Sequence, residues 1–182
     1  MPALTLHPQS RCDAVERIEV DVARAPGGRL RLLYSLSGRI SEVCFPDPRP
    51  PERADNLWQH TCFEAFLKPT DAPAYFELNF APSMQWACYR FTRTREGMGS
   101  PEGVASPLMK SVSNGQTSFM LDVMLALEKL DLPEVATWRM GLSAVIEEKN
   151  GNKSYWALTH PQGEPDFHHE AGFVLDLPPE RP

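Results

Sequence analysis

Two glutamates and an asparagine interrupt stretches that are otherwise apolar. Glu64 lies in the run Thr61-Cys62-Phe63-Glu64-Ala65-Phe66-Leu67, and Glu77 and Asn79 lie in Tyr75-Phe76-Glu77-Leu78-Asn79-Phe80. A carboxylate in such a run is costly to bury unless it is paired. The residue types allow three uses. Two carboxylates can act on a glycosidic bond if they stand about 5–10 Å apart. Together with the amide they can bond a small polar ligand. They can also be neutralised inside the protein by an arginine, for which Arg90 and Arg139 are the candidates. His60 precedes Glu64 on the same parity and joins the set.

Strand geometry decides which of these residues meet. Successive side chains of a strand point to opposite faces. Thr61, Phe63, Ala65 and Leu67 therefore share one side, and His60, Cys62, Glu64 and Phe66 the other. In the next run Phe76, Leu78 and Phe80 oppose Tyr75, Glu77 and Asn79. The short connection from Lys68 to Pro73 is rich in turn formers and predicts a hairpin. With the apolar sides together, Glu64, Glu77 and Asn79 share a face. A third run follows, in which Gln85, Ala87, Tyr89 and Phe91 alternate with Trp86, Cys88 and Arg90. Both of its sides carry aromatics, so its inward face stays open, and Arg90 countercharges the glutamates only if it shares theirs.

These runs sit in a chain of 182 residues with net charge −6. That length suits one domain with a sizeable core. No cluster of Lys and Arg appears, which disfavours nucleic acid, whose binding rests on phosphate neutralisation. No apolar run approaches the roughly 20 residues that span a bilayer. The N-terminal stretch lacks the charged start and apolar centre of a secretory signal, so the expected location is cytoplasmic. Cys12, Cys44, Cys62 and Cys88 form no CxxC pair and are expected as free thiols.

Along the rest of the chain, strand signals dominate. Arg17 to Ala25 and Arg29 to Ser37 flank Pro26-Gly27-Gly28 as a hairpin, and Ile40 to Phe45 is expected to continue the sheet. The proline-rich segment 46–51 is a loop. Thr94 to Pro107 is a long loop of the kind that often binds ligands. Leu108 to Val112 and Thr117 to Val123 pair across an Asn-Gly turn. Met124 to Leu130 is the one helical stretch. Thr137 to Glu148 is a long strand with Trp138, Met140, Leu142, Ala144 and Ile146 inward and Arg139, Gly141, Ser143, Val145 and Glu147 opposite. Ser154 to Leu158 pairs back, and Gly172 to Leu177 is a last strand. Without βαβ alternation, the expectation is an all-β fold: a two-sheet antiparallel β-sandwich of about ten strands with one short helix, in a single domain whose core covers residues 17–177.

The runs LWQHTCFEAFL, YFELNFAPSMQWACYRF and SYWALTHPQGEPDFHH together resemble the DOMON-like family, related to carbohydrate-binding module family 9. The resemblance spans roughly Arg17 to Leu177. It implies a sandwich that binds a ligand across one sheet, with sugars and haem as the two ligand classes. In the sugar-binding relatives two tryptophans clamp the sugar while acidic and amide side chains bond its hydroxyls. The resemblance implies Trp58 or Trp86, with Trp156, as similar clamps here, and Glu64, Glu77 and Asn79 as the polar partners. The haem-binding relatives use a Met/His pair, for which Met84 or Met98 with a histidine would stand.

Each residue also has a plain structural use. Trp138 alternates with Met140 and Leu142 and belongs to the core. The histidines 60, 160, 168 and 169 are scattered or adjacent, and no metal spacing emerges. Asp166 can turn its own loop, and Phe167 can plug the sandwich edge. No nucleophile elbow is present, and fold alone confers no chemistry. The sequence therefore favours a non-catalytic domain that binds a carbohydrate or similar small polar ligand through Trp58, His60, Glu64, Glu77, Asn79, Trp86, Arg90, Arg139 and Trp156. Haem binding and a structural or protein-interaction role, including self-association, are the alternatives.

Overall fold

Among the described residues eleven strands, each antiparallel to the strands it pairs with, build one curled sheet. They are β1 (Ala3–Leu6), β2 (Val15–Ala25), β3 (Arg29–Gly38), β4 (Cys62–Pro69), β5 (Tyr75–Phe80), β6 (Trp86–Phe91), β7 (Leu108–Ser113), β8 (Ser118–Ala126), β9 (Trp138–Glu147), β10 (Lys153–Ala157) and β11 (Leu175–Leu177). The computed structural model describes residues 1–133 and 136–179. The order across the sheet is β6-β5-β4-β9-β10-β1-β2-β3-β8-β7, with β11 paired to the start of β9.

The expected two separate sheets are instead one continuous hydrogen-bonded path. The joint is β1, a strand too short to stand out in the sequence. Its Ala3 and Leu4 pair with β2, while its Thr5 and Leu6 pair with β10. The two halves face each other across a shared core that includes Leu32, Tyr34, Phe63, Leu78, Leu121 and Met140. Ring centroids of Tyr34 and Phe63 are 5.0 Å apart, and those of Phe63 and Phe119 are 6.0 Å apart. The Tyr34 hydroxyl donates to the Glu64 carbonyl oxygen at 2.8 Å, which satisfies its polar end deep in the core.

Local chemistry explains the hairpins. Gly27 and Gly28 both take left-handed backbone, with φ of 77° and 64°, at the turn between β2 and β3. At the β7–β8 turn the Asn114 Oδ1 accepts from the backbone N–H groups of Gln116, Thr117 and Ser118.

Two expected elements are absent. Met124 to Leu130 is no helix: β8 runs through to Ala126, pairing Leu125 with Leu30 and Ala126 with Arg29, and a turn follows. Seven residues are too few to hold a helix against a ladder that β3 extends to them. Ile40 to Phe45 does not continue the sheet either. Ile40–Glu42 is a 3-10 turn, and Val43 makes one isolated bridge to Glu148. Helical content among the described residues is limited to three such turns, the others at Leu57–Gln59 and Glu170–Gly172.

Faces follow the alternation read from sequence in β4, β5 and β9. Phe63, Ala65, Leu67, Phe76, Leu78, Phe80, Met140, Leu142 and Ala144 turn into the core. In β6 the open choice resolves: Trp86 and Cys88 turn inward, and Ala87, Tyr89 and Phe91 turn outward. The outer face of this half is not solvated. Phe66, Tyr75, Ala87, Tyr89, Phe91 and Phe173 form a second apolar cluster there. It is covered by the segment 160–174 between β10 and β11, which lies against the sheet at Gly141. A Cβ there would stand 3.0 Å from the Gly172 carbonyl oxygen, so the missing side chain admits the covering strap. No helix among the described residues is long and apolar enough to cross a membrane.

Candidate functional site

The outer face of β4, β5, β6, β9 and β10 is the floor of a cleft of about 990 Å³. Glu64 and Phe66, Glu77, Tyr89 and Phe91, Val145, and Tyr155 reach it from those strands in turn. Three loops wall it. The segment before β4 brings Arg53, Asp55, Asn56 and Trp58. The loop after β6 brings Arg95, Met98, Gly99 and Ser100. The strap before β11 brings Glu164, Pro165, Phe167 and His168. The long loop 94–107 is thus partly a wall of this cleft.

At the floor, β4 and β5 are paired so that Glu64 faces Asn79 and Phe66 faces Glu77. The two glutamates are diagonal neighbours, a placement that puts Cβ atoms about 7–8 Å apart or somewhat less. Both are almost fully buried, at 3% and 6% exposure. Ser143 Oγ donates to Glu64 Oε2 at 3.2 Å, and Asn79 Nδ2 donates to Glu77 Oε1 at 2.7 Å. Burial raises both carboxyls above the usual range. Glu64 is pushed up to about 8, by desolvation first and then by the charge of Glu77, against the pull of the Ser143 hydroxyl. Glu77 is raised by desolvation, with the Asn79 bond and the charge of Arg95 opposing.

Around them runs a polar network. His168 Nδ1 bonds the Tyr75 hydroxyl at 2.7 Å, and its Nε2 stands 3.7 Å from Glu77 Oε2. The Arg95 backbone N–H donates to the Tyr75 hydroxyl at 3.2 Å, and its guanidinium donates to Asp166 Oδ1 at 2.7 Å. The same Asp166 oxygen accepts the His168 backbone N–H at 3.1 Å, the self-turning loop expected of that aspartate. Desolvation, aided by Arg95, pushes His168 down to about 4, so its ring is neutral near pH 7. On the opposite wall, Arg53 donates to Asp55 at 2.9 Å and to Ser100 Oγ at 2.6 Å, and lies 5.4 Å from the centroid of the Tyr89 ring. The Tyr89 hydroxyl donates to Asp55 at 2.6 Å. Burial and Asp55 raise the phenol, while Tyr89 and Arg53 hold Asp55 below the usual carboxylate range.

Of the nine residues singled out from the sequence, Glu64, Glu77 and Trp58 line the cleft, and Asn79 braces Glu77 beside it. Trp58 stands on the 3-10 turn Leu57–Gln59 and is 50% exposed. The other five lie elsewhere. Trp86 and Trp156, the expected clamps, turn into the main core because their strand parity is that of Cys88 and Ser154. Trp156 spends its indole N–H on Ser154 Oγ. Arg90 has the parity of Trp86, so it points away from the glutamates. Arg139 shares the floor's parity but sits beyond Gly141, at the β11 end, 3.5 Å from Asp176. His60 is exposed and bonds Glu147 at 2.6 Å. Neither arginine supplies the expected countercharge.

The sequence does not single out Tyr89, Arg53, Arg95 and Tyr155 as binding residues, and it offers Phe167 and His168 only as an edge plug and as a candidate metal or haem histidine. Tyr89 was findable once Cys88 was taken as inward. The rest depend on where three loops settle, which no periodicity encodes.

An iron porphyrin does not suit the donor set. Met98 and His168 both reach the cleft, but His168 uses Nδ1 on Tyr75 and turns Nε2 towards Glu77. Among the described residues no three His, Cys, Asp or Glu side chains converge as a metal site.

The chain matches no family model and no curated protein. Its fold is similar to the crystal structure of a candidate carbohydrate-binding protein from Bacteroides uniformis ATCC 8492. That match has a TM-score of 0.60 and 16% sequence identity, and covers 91% of this chain and 80% of that one. A lower match, with a TM-score of 0.47 and 10% identity over 90% of this chain and 75% of the other, is to a family 9 carbohydrate-binding module from Caldicellulosiruptor kristjanssonii in complex with glucose. The likeness is one of fold. At such identity it carries no residue role from one chain to the other.

Proposed function

We propose that this protein is a non-catalytic binding domain whose cleft holds a carbohydrate or a similar small polar ligand. The observation that carries the reading is the pairing of an exposed aromatic rim with a buried polar floor: Trp58 stands half-exposed over a cleft whose base presents Glu64 and Glu77. A sugar ring offers an apolar face to stack and hydroxyls to bond, and pockets of this size and makeup are the usual form of a small-molecule site. The fold likeness to a candidate carbohydrate binder supports the same class. The resemblance of the central runs to the DOMON-like family is consistent with it, and we place the chain in that family on this reading. Four free thiols, two of them buried, suit a reducing compartment, so the reading includes a cytoplasmic location.

Hydrolysis is the weaker use of the same carboxyls. A glycosidase sets its two groups to either side of the bond it breaks. Glu64 and Glu77 instead lie on adjacent strands of one floor, beneath whatever the cleft holds. Calorimetric titration with a panel of mono- and disaccharides tests the proposal. Saturable heats at micromolar to millimolar concentration are expected, and their absence for every sugar would overturn it.

A further inference from the structure

We infer that the cleft prefers a carbohydrate bearing a positive amino group, with its ammonium seated over Glu64 and Glu77. The inference deepens the carbohydrate reading above and rests on it.

The cations of the cleft are already engaged. Arg53 and Arg95 are the only Lys or Arg among the lining residues. Arg53 is committed to Asp55 and Ser100, and Arg95 to Asp166. Arg95 is near enough to ease the ionisation of Glu77, but its Nη2 donates to Asp166 in the wall, and among the described residues no hydrogen bond joins it to either glutamate. His168, the remaining basic group facing the floor, is neutral, and its Nε2 stops 3.7 Å short of Glu77. Glu164 adds a further acid at the mouth. Two nearly buried acids therefore face the cleft with no resident cation bonded to them among the described residues.

Hydrogen-bond polarity points the same way. The donors bonded to the floor's carboxyls are Ser143 Oγ and Asn79 Nδ2. Asn79 is 1% exposed, and its Oδ1 is buried with no hydrogen-bond partner among the described residues. What faces the cleft is acceptor capacity, Glu64 and Glu77, whose ionised forms a bound cation favours, with the unpaired Asn79 carbonyl beside them. An ammonium brings three donors and no acceptor, which matches that set, whereas a hydroxyl brings one donor and acceptor lone pairs of its own. Buried acceptors left unpaired are otherwise costly. Trp58 in the wall and Tyr89 and Tyr155 in the floor add aromatic rings, groups that attract a cation. A bare divalent ion fits less well, since it asks for six or more oxygens and no third carboxylate, His or Cys converges with the pair among the described residues.

The test is calorimetric titration of the whole chain with D-glucosamine, D-glucose and N-acetyl-D-glucosamine at neutral pH, where the ammonium persists and, by its charge, favours loss of the Glu64 proton. The last two probes retain the ring without the charge, and the acetyl form retains the nitrogen as well. D-glucosamine is expected to bind at least tenfold more tightly than either, about 1.4 kcal/mol. In Glu77→Gln and Glu64→Gln the ratio should fall below about threefold. A ratio near one in the unaltered protein overturns the inference and leaves the carbohydrate reading standing. A ratio that persists in both variants overturns it too, because the ammonium then sits elsewhere. No binding by any of the three overturns both. The ligand comparison needs no variant, so a variant that fails to fold does not shelter the idea.

Discussion

The two halves of the sheet use alternation differently. In the half built from β2, β3, β8 and β7, every second residue reaches solvent: β3 alternates between exposed or half-buried and buried positions from Arg29 to Leu36. Its outer face carries Arg31 on Asp122 and Arg17 on Glu19, pairs that water surrounds. In the other half, all six residues of β5 are buried, and β4 is buried from Cys62 to Lys68. Both halves have the same inward face and the same core. They differ in what covers the outside. One is an ordinary solvated surface, while the other is roofed by loops that leave a cleft over two acids. A polar residue under a roof is a different object from the same residue in water, since desolvation raises Glu64 and Glu77, whereas Arg31 holds Asp122 below the usual carboxylate range.

The face the halves share should tolerate least. Phe63 is fully buried between Tyr34 and Phe119, its aromatic neighbours from the opposite half. Phe63→Ala should lower the unfolding free energy by about 3–5 kcal/mol in urea titration. A loss under about 1 kcal/mol would mean that the halves do not depend on one core.

The roofed face should show itself through pH. An exposed glutamate titrates near 4.5, whereas folded Glu64 titrates near 8. Between those values the folded protein keeps a proton that the unfolded chain has lost. The stabilisation is complete below the lower value, declines as pH rises, and is gone once pH has passed the upper one. Each unit is worth about 1.4 kcal/mol, so the decline reaches a few kcal/mol. Glu77, raised in the same direction, adds to it. Urea midpoints at pH 5 and pH 9 should differ accordingly, and Glu64→Gln should flatten the dependence. A protein equally stable at both ends would show that water reaches the floor.

How much of this was legible in the sequence depends on the period of the signal. Faces of β4, β5 and β9 follow from alternation over six to ten residues, because a strand's own geometry writes it. Glu64, Glu77 and Asn79 were therefore found together. Trp86, Trp156 and Arg90 turn away from the floor, which the sequence leaves open for a related reason: aromatic or charged residues fall on both parities, and parity alone names no inside. The Met124–Leu130 helix failed because a ladder with β3 outweighed a short local preference. The curl at β1 was invisible, since four residues that divide their bonds between two neighbours have no pattern of their own. His168 and Arg95 are set by long-range docking of loops, so spacing holds no trace of them.

Trp58 sharpens the contrast from the rim. It is half-exposed and belongs to neither apolar cluster. Trp58→Ala should leave unfolding within about 0.5 kcal/mol of the parent protein. Its binding cost should be about tenfold, or about 1.4 kcal/mol, in the same sugar titration. A loss of stability without a loss of binding would make it a structural residue.

The solvated half supplies the smallest effect. Arg31 makes two bonds to Asp122, at 3.1 and 2.8 Å, across the β3–β8 ladder. Both side chains are about two-fifths exposed, so water competes for each charge and salt screens the pair. Geometry this good at a buried site would be costly to break, yet here Arg31→Ala should cost no more than about 1 kcal/mol, and less in high salt. A double-mutant cycle with Asp122→Ala measures the pair itself. A coupling of several kcal/mol, insensitive to salt, would mean that this face too is covered, and the difference between the halves would lie in their residues rather than in the roof.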